Sequence, residues 1–131
     1  MLFLWTAISG WTATLLLGAG IGIPYFVRNT PAAAASVFAR LRPHYRIGFL
    51  IPAISFLHAW FPMSAGRMRG FDRSGLLLAT AALLAMCGQV GLGLTLRDST
   101  GADHRTTRRL HFWSMAAIVS LVAAHIVFNR V

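Results

Sequence analysis

The chain has 131 residues, of which 56% are hydrophobic and 11% are charged, and its mean hydropathy is +0.64. A water-soluble domain carries about 25% charged residues, so three acidic residues and twelve arginines are too few to cover a soluble globule. The net charge of +9 does not indicate nucleic acid as a partner, because the arginines separate long apolar runs instead of forming one basic face. The single cysteine, Cys87, excludes an internal disulfide and a paired-cysteine metal motif. The composition predicts an integral membrane protein surrounded by the lipid bilayer.

Four apolar segments are each long enough to cross a hydrocarbon core about 30 Å thick, which takes about 20 helical residues. They cover approximately residues 2–27, 43–63, 74–96 and 108–128. Thr30 and Pro31, a pair typical of a helix start, precede a mixed apolar and basic stretch, which predicts a short helix on the membrane surface over residues 31–42. The segments 64–73 and 97–107 are rich in turn-forming residues, and no sequence repeat is evident. We therefore expect an all-α fold with a single transmembrane domain over residues 1–131. Its architecture is an integral membrane four-helix bundle with a short interfacial helix between spans 1 and 2.

The arginines predict the orientation of the chain, because loops on the cytoplasmic side carry an excess of basic residues. The side that holds both termini and the 64–73 loop carries four arginines, and the side that holds the loops 28–46 and 97–109 carries eight. The termini are thus expected in the periplasm and the two longer loops in the cytoplasm. Arginine without lysine also suggests a GC-rich bacterial genome, so the expected location is the bacterial inner membrane. The cytoplasmic set is Arg28, Arg40, Arg42, Arg46, Arg97, Arg105, Arg108 and Arg109.

Four of the five histidines form two pairs, His44 with His58 on the second span and His111 with His125 on the fourth. Both pairs are 14 residues apart. Fourteen steps of about 100° fall about 40° short of four turns, so the two members of a pair share one helix face about 21 Å apart along the axis. The two spans run parallel, which puts His44 level with His111 and His58 level with His125. Two imidazoles facing one another at each level of a bundle can hold a six-coordinate iron porphyrin.

The spacing H-x13-H on two parallel spans resembles the di-haem core of the respiratory cytochrome b of bc1-type complexes. The four-helix size is similar to that of bacterial cytochrome b561-like proteins and of the membrane cytochrome b subunits of dehydrogenases. The resemblance implies two b-type haems, one ligated by His44 and His111 and the other by His58 and His125. Two such haems stacked across a bilayer can pass single electrons from one face to the other, so we expect a transmembrane electron carrier that takes electrons from quinol or delivers them to quinone. The chain would then be a subunit whose redox partner is a dehydrogenase, a reductase or a c-type cytochrome, and the alternative is a stand-alone b561-like oxidoreductase.

Two further sets of residues fit haem binding. A porphyrin between helices needs close helix approach, which favours glycine, and haem propionates need cationic partners at the membrane surface. The alternatives are ordinary small-residue helix packing for the glycines and headgroup anchoring for the arginines. Gly10 and Gly75 are expected at the level of His58 and His125. The candidate porphyrin-packing glycines are Gly18, Gly22, Gly88 and Gly91, and the candidate propionate partners are Arg42, Arg46, Arg67, Arg69, Arg108 and Arg109.

Other functions of the same histidines stay open. A metal or proton transporter is disfavoured because no Asp or Glu lies within a predicted span, whereas ion pathways usually use them. A structural membrane subunit without haem is the other alternative. Gln89, the one amide within a span, is expected to bond to a neighbouring backbone, with a quinone as the alternative. His104 is expected to be a solvated loop histidine, with proton acceptance at a quinol site as the alternative.

Overall fold

The computed structural model describes residues 1–29, 37–64 and 73–128. Within these ranges the chain forms five helices and no strand. Four of the helices are long and apolar enough to cross a membrane, by length and composition. This confirms the predicted all-α, four-helix membrane fold class and makes the chain a multi-pass membrane protein. The helices are α1 (Leu2–Asn29), α2 (Val37–Arg40), α3 (Arg42–Ser64), α4 (Arg73–Asp98) and α5 (Gly101–Phe128).

The connection between α4 and α5 is much shorter than the sequence predicted. The predicted loop over 97–107 is wrong, because α4 continues to Asp98 and α5 begins at Gly101, seven residues before the predicted start at 108. Gly101 has a φ of 61°, a left-handed conformation that glycine adopts without a side-chain clash, so the chain reverses direction in very few residues. Asp103 lies in the first turn of α5, where a carboxylate is favourable beside the helix N-terminus. The polar residues that resembled a loop are the ends of two helices.

The predicted interfacial helix is described only in part. Val37–Arg40 form the short helix α2, and Arg42 already begins α3. Pro43 lies in the first turn of α3, where its missing N–H costs no helical hydrogen bond. Residues 30–36, which include the predicted helix start and the alanine run, lie outside the described residues.

The helices are organised as two compact units. Hairpin 1 contains α1, α2 and α3, and hairpin 2 contains α4 and α5. In each hairpin the two long helices pack antiparallel: His44 contacts Gly20 at one end of hairpin 1, and His58 contacts Thr6 at the other. We call the end where the two long helices are joined in sequence the connection end, and the opposite end the open end. His44 and His111 lie toward the connection ends, and His58 and His125 toward the open ends.

The cores of the two hairpins use equivalent positions. Three side chains are buried between α1 and α3, and three between α4 and α5. The buried residues of α4 lie 69 positions after those of α1 in the sequence. The buried residue of α5 lies 67 positions after that of α3. The equivalent pairs are Ala13 with Ala82, Leu17 with Met86, and Ile51 with Ile118.

The same offset relates the histidines of α3 to those of α5. His44 and His111 are 67 positions apart, and so are His58 and His125. Each buried isoleucine lies seven residues from both histidines of its helix, so H-x6-I-x6-H occurs twice. Seven residues are about two helical turns, which puts the isoleucine on the histidine face. The two hairpins therefore share these positions, although few residues are identical and the connections differ in length.

The outer surfaces of the hairpins are apolar. Leu15 is 72% exposed and its equivalent in hairpin 2, Leu84, is 68% exposed. Hydroxyl groups on the helices bond within their own helix, as Thr14 does to the carbonyl of Gly10 at 3.0 Å, so that they need no water. Surfaces of this kind are stable in a lipid bilayer, which is the environment of the protein.

Candidate functional site

The imidazole of His44 on α3 is hydrogen-bonded to a main-chain carbonyl of α1, and this carbonyl has no helical N–H partner within α1. Nδ1 of His44 lies 2.8 Å from the carbonyl oxygen of Gly20 on α1. A carbonyl only accepts hydrogen bonds, so Nδ1 carries the hydrogen and Nε2 carries the lone pair of the neutral ring. In a helix the Gly20 carbonyl would accept the N–H of residue 24, but Pro24 has none. The imidazole of His44 therefore supplies the hydrogen bond that α1 lacks.

His58 lies against the first helix at the open end of hairpin 1. Its Nδ1–H donates to the carbonyl of Thr6 at 2.8 Å, and the hydroxyl oxygen of Ser9 is 3.5 Å from the same nitrogen. A Cβ built on Gly10 would lie 2.8 Å from Cε1 of His58 and 3.0 Å from Nδ1. Since side-chain carbons do not approach a ring so closely, position 10 must be glycine for His58 to reach Thr6. The predicted level of Gly10 with His58 is confirmed.

His125 has the same arrangement at the open end of hairpin 2. Its Nδ1–H donates to the carbonyl of Gly75 at 3.1 Å, and Gly75 is buried. The predicted level of Gly75 with His125 is thus confirmed as well. The tautomer is again the one with the hydrogen on Nδ1.

The main-chain carbonyl of His111 accepts hydrogen bonds from two side chains. The side-chain amide of Gln89 donates to the carbonyl of His111 at 3.0 Å, and the hydroxyl of Ser114 lies within hydrogen-bond distance of that carbonyl and of the Gln89 side-chain oxygen. Nδ1 of His111 is buried, and a Cβ built on Gly93 would lie 3.6 Å from Cε1 of the ring. The expectation that Gln89 bonds to a neighbouring backbone is confirmed.

The four histidines of the two pairs fit the chemistry of axial metal ligands. All four are half-buried on membrane-length helices. Three of them donate Nδ1–H to a main-chain carbonyl of the neighbouring helix. This bond fixes the ring orientation and the tautomer, and it makes Nε2 the basic nitrogen, as is usual for histidines that bind a metal. The donor set therefore suits an iron porphyrin ligated through Nε2.

The glycines that contact the histidines are not the four predicted to pack a porphyrin. Gly20 and Gly75 give their carbonyls to histidines, and Gly10 and Gly93 lie beside imidazole rings. These four glycines could be identified only from the alignment of each histidine-bearing helix with its antiparallel neighbour. A Cβ on Gly18, Gly88 or Gly91 would have no atom of the described residues within 4 Å, and one on Gly22 would lie 3.7 Å from the Phe26 ring. The porphyrin-packing role of these four glycines remains a prediction.

The candidate propionate partners divide by helix face. Arg42, Arg46, Arg108 and Arg109 are exposed residues of α3 and α5, whereas Arg67 and Arg69 lie outside the described residues. Arg108 precedes His111 by three residues, which places both on one face. The other three described arginines are two residues from their histidine, so they point elsewhere.

His104 is not a loop residue as expected. It lies in the first turn of α5, is half-buried, and has Nδ1 3.4 Å from the hydroxyl oxygen of Ser99. The neighbouring Asp98 forms an ion pair with Arg97, with an N–O distance of 2.9 Å. His104 therefore belongs to the polar turn between α4 and α5 and not to the H-x6-I-x6-H pattern.

Within the described parts of the chain, no three His, Cys, Asp or Glu side chains converge to hold a metal ion. An axial haem site takes only two histidines, so this finding does not bear on the predicted pairs. Comparison with known proteins assigns no family: no protein-family model, no curated protein and no solved structure matches the chain. The function is therefore argued from the contacts of the histidines themselves.

Proposed function

We propose that the protein is a transmembrane electron carrier with two b-type haems, linked to the quinone pool of a bacterial inner membrane. One haem is ligated by His44 and His111, and the other by His58 and His125. A haem held by two histidines supplies a one-electron carrier whose iron has no open coordination position.

The Nδ1–H bonds to main-chain carbonyls carry this proposal. At His44, His58 and His125 the neighbouring helix accepts Nδ1–H and leaves Nε2 as the ligating atom. A carbonyl acceptor also makes the imidazole a stronger electron donor toward a metal. The histidines sit on apolar helices, where ionisable residues are functional by default.

The acidic residues argue against an ion pathway through the same histidines. In the described helices, Asp98 is the last residue of α4 and Asp103 the third residue of α5, and no other acidic residue occurs there. Proton and cation pathways in membranes usually run along carboxylates within the spans. The charges at these two aspartates lie at helix ends instead.

The short connections support a separate redox partner. The segments between the long helices cover residues 30–41, 65–72 and 99–100, too few for a soluble redox domain. A dehydrogenase, a reductase or a c-type cytochrome would exchange electrons with the chain from one face of the membrane, and quinol or quinone from within it. In the orientation that the arginines favour, the connection ends face the cytoplasm and the open ends the periplasm. A stand-alone b561-like oxidoreductase is the alternative.

A reduced-minus-oxidised absorbance spectrum of the detergent-purified protein, with pyridine haemochrome quantification, tests the haem proposal. We expect two b haems per chain, and one or none in His58→Ala or His111→Ala. His104→Ala is the matched control: it removes the fifth histidine and should keep both haems. Folded protein that stays free of haem when haem supply is ample would refute the proposal.

The partner is tested separately. Rapid reduction of the purified protein by a quinol alone would favour the stand-alone oxidoreductase. Co-purification of a dehydrogenase, reductase or c-type cytochrome from native membranes, with slow reduction by quinol when that partner is removed, would favour the subunit.

A further inference from the structure

The carbonyl that accepts Nδ1–H of His44 differs from the other two acceptors. Thr6 and Gly75 lie four residues before Gly10 and Ala79, which have main-chain N–H groups that a helical carbonyl can accept. Gly20 lies four residues before Pro24, which has no N–H. Of the three described Nδ1–H bonds to carbonyls, the bond from His44 is therefore the one whose carbonyl has no main-chain N–H four residues later to compete for it.

The helix does not break at this proline. α1 continues beyond Pro24 to Asn29, and the Gly20 carbonyl is 2.8 Å from Nδ1 of His44. Gly20 is buried against α3, where a Cβ on it would lie 3.6 Å from Cγ2 of Ile47. Close packing at Gly20 and the missing N–H at Pro24 together direct the free carbonyl to the imidazole.

We propose that Pro24 is a positioning residue for His44. By removing the N–H of residue 24, it leaves the Gly20 carbonyl to the imidazole and so strengthens the Nδ1–H bond. A stronger bond at Nδ1 raises the electron-donating power of Nε2. The consequence for a haem rests on the proposed function, whereas the effect on the Nδ1–H bond does not.

Hairpin 2 has no proline at the position equivalent to Pro24. Gln89 occupies the position of Gly20, and Gly93 that of Pro24, so the carbonyl of Gln89 has a main-chain N–H four residues on. The two histidines at the connection ends are thus held by different means, and a change at Pro24 should act on His44 alone.

The Nδ1–H resonances of histidine in 15N-labelled, haem-free protein in detergent test the bond directly. Pro24→Ala restores an N–H that competes for the Gly20 carbonyl. We expect the His44 Nδ1–H signal to move upfield and to exchange with solvent about fivefold faster, with His58 and His125 unchanged. Pro24→Ser also restores the N–H and should give the same shift, which keeps the test available if one variant folds poorly.

Pro52→Ala is the matched control. Pro52 is also a proline inside a helix of hairpin 1, but the carbonyl it frees belongs to Gly48. This variant restores an N–H group within α3 without adding a competitor for the Gly20 carbonyl, so the His44 signal should stay in place. An unchanged His44 signal in both Pro24 variants, or an equal change in Pro52→Ala, would overturn the proposal.

Redox titration and electron paramagnetic resonance of the haem-loaded protein test the consequence. Pro24→Ala should shift the midpoint potential and the low-spin signal of one haem and leave the other haem unchanged. Two unchanged haems in Pro24→Ala would overturn the effect on Nε2. Absence of haem from the wild-type protein would refute the proposed function, while the resonances of the haem-free protein would still decide the role of Pro24.

Discussion

At the connection ends of the two hairpins, the first long helix contacts the histidine of the second through different groups. In hairpin 1 the main chain of α1 supports the imidazole of His44, through the Gly20 carbonyl. In hairpin 2 the side chain of Gln89, at the position of Gly20, reaches the main chain of His111 instead. The histidines and the isoleucine between them occur in both hairpins, whereas the residues of the neighbouring helix that contact the histidines differ. The two connection ends therefore differ in how the neighbouring helix contacts the histidine.

The open ends differ in a second way. His58 donates to Thr6 and rests on Gly10, whereas His125 donates to Gly75. The position equivalent to Gly10 in hairpin 2 is Ala79, which already carries a Cβ. The close approach of ring to helix that requires glycine is thus a property of hairpin 1, and small side-chain changes should affect the two open ends unequally.

Gly10→Ala should have the largest effect, because its Cβ would overlap the His58 ring. The ring must move, the bond to Thr6 is strained or lost, and overpacking of this kind costs about 1–3 kcal/mol of the free energy of unfolding. We expect haem content to fall from two toward one per chain, with a lower thermal unfolding temperature in detergent. Pyridine haemochrome quantification and thermal unfolding measure the two effects.

Two controls isolate the clash. Gly48→Ala adds the same methyl group to hairpin 1 where it would have no atom of the described residues within 4 Å, so both haems should stay. Ala79→Gly removes a methyl group at the equivalent place in hairpin 2 and should cost about 0.5–1 kcal/mol. Full haem content in Gly10→Ala, with an unchanged His58 resonance, would show that the open ends are not different.

Gln89→Leu should have an intermediate effect that is confined to hairpin 2. It removes the amide donor to the His111 carbonyl and leaves the Ser114 hydroxyl without the Gln89 side-chain oxygen. Bonds between helices in a membrane contribute about 1 kcal/mol, so the free energy of unfolding in mixed micelles should fall by about that amount. Signals of the His111 haem should shift, and those of the other haem should not.

Ser120→Ala is the control for this cluster. Its hydroxyl bonds to the carbonyl of Ala116 in its own helix, so its removal leaves α4 and α5 paired as before. Ser114→Ala removes one member of the cluster and should lie between this control and Gln89→Leu. Equal stability of Gln89→Leu and Ser120→Ala would mean that the amide does not hold the two helices together.

The sequence predicts the helices well because apolar length alone decides which segments can cross a bilayer. The sequence also places Gly10 at the level of His58 and Gly75 at the level of His125, because the depth of each residue along its helix follows from the rise per residue. The role of Pro24 could not be found in this way, because it depends on the register that brings His44 to Gly20. The sequence does not reveal the start of α5, because glycine, serine, threonine and aspartate are typical both of turns and of helix N-termini. The equivalence of the two cores could be predicted only in part, because positions such as Leu17 and Met86 hold different apolar residues and burial identifies them as equivalent.

Arg108→Gln should have the smallest effect and tests whether helix face or mere proximity selects a propionate partner. Arg108 shares a face with His111, and its neighbour Arg109 does not. A cation beside a haem stabilises the reduced form, and an exposed charge pair contributes about 0.2–1 kcal/mol, so Arg108→Gln should lower the midpoint potential of one haem by roughly 10–40 mV.

Arg109→Gln is the control, since it removes the same charge one residue away and should change the potential less. Redox titration at low and high salt measures both variants, and screening should weaken the effect of Arg108→Gln. Equal shifts in the two variants would mean that these arginines act through the general charge of the membrane surface. A larger shift in Arg108→Gln would instead mark the face of α5 that carries His111 as the one nearest the haem propionates, whereas Leu41 stands at the equivalent position in hairpin 1.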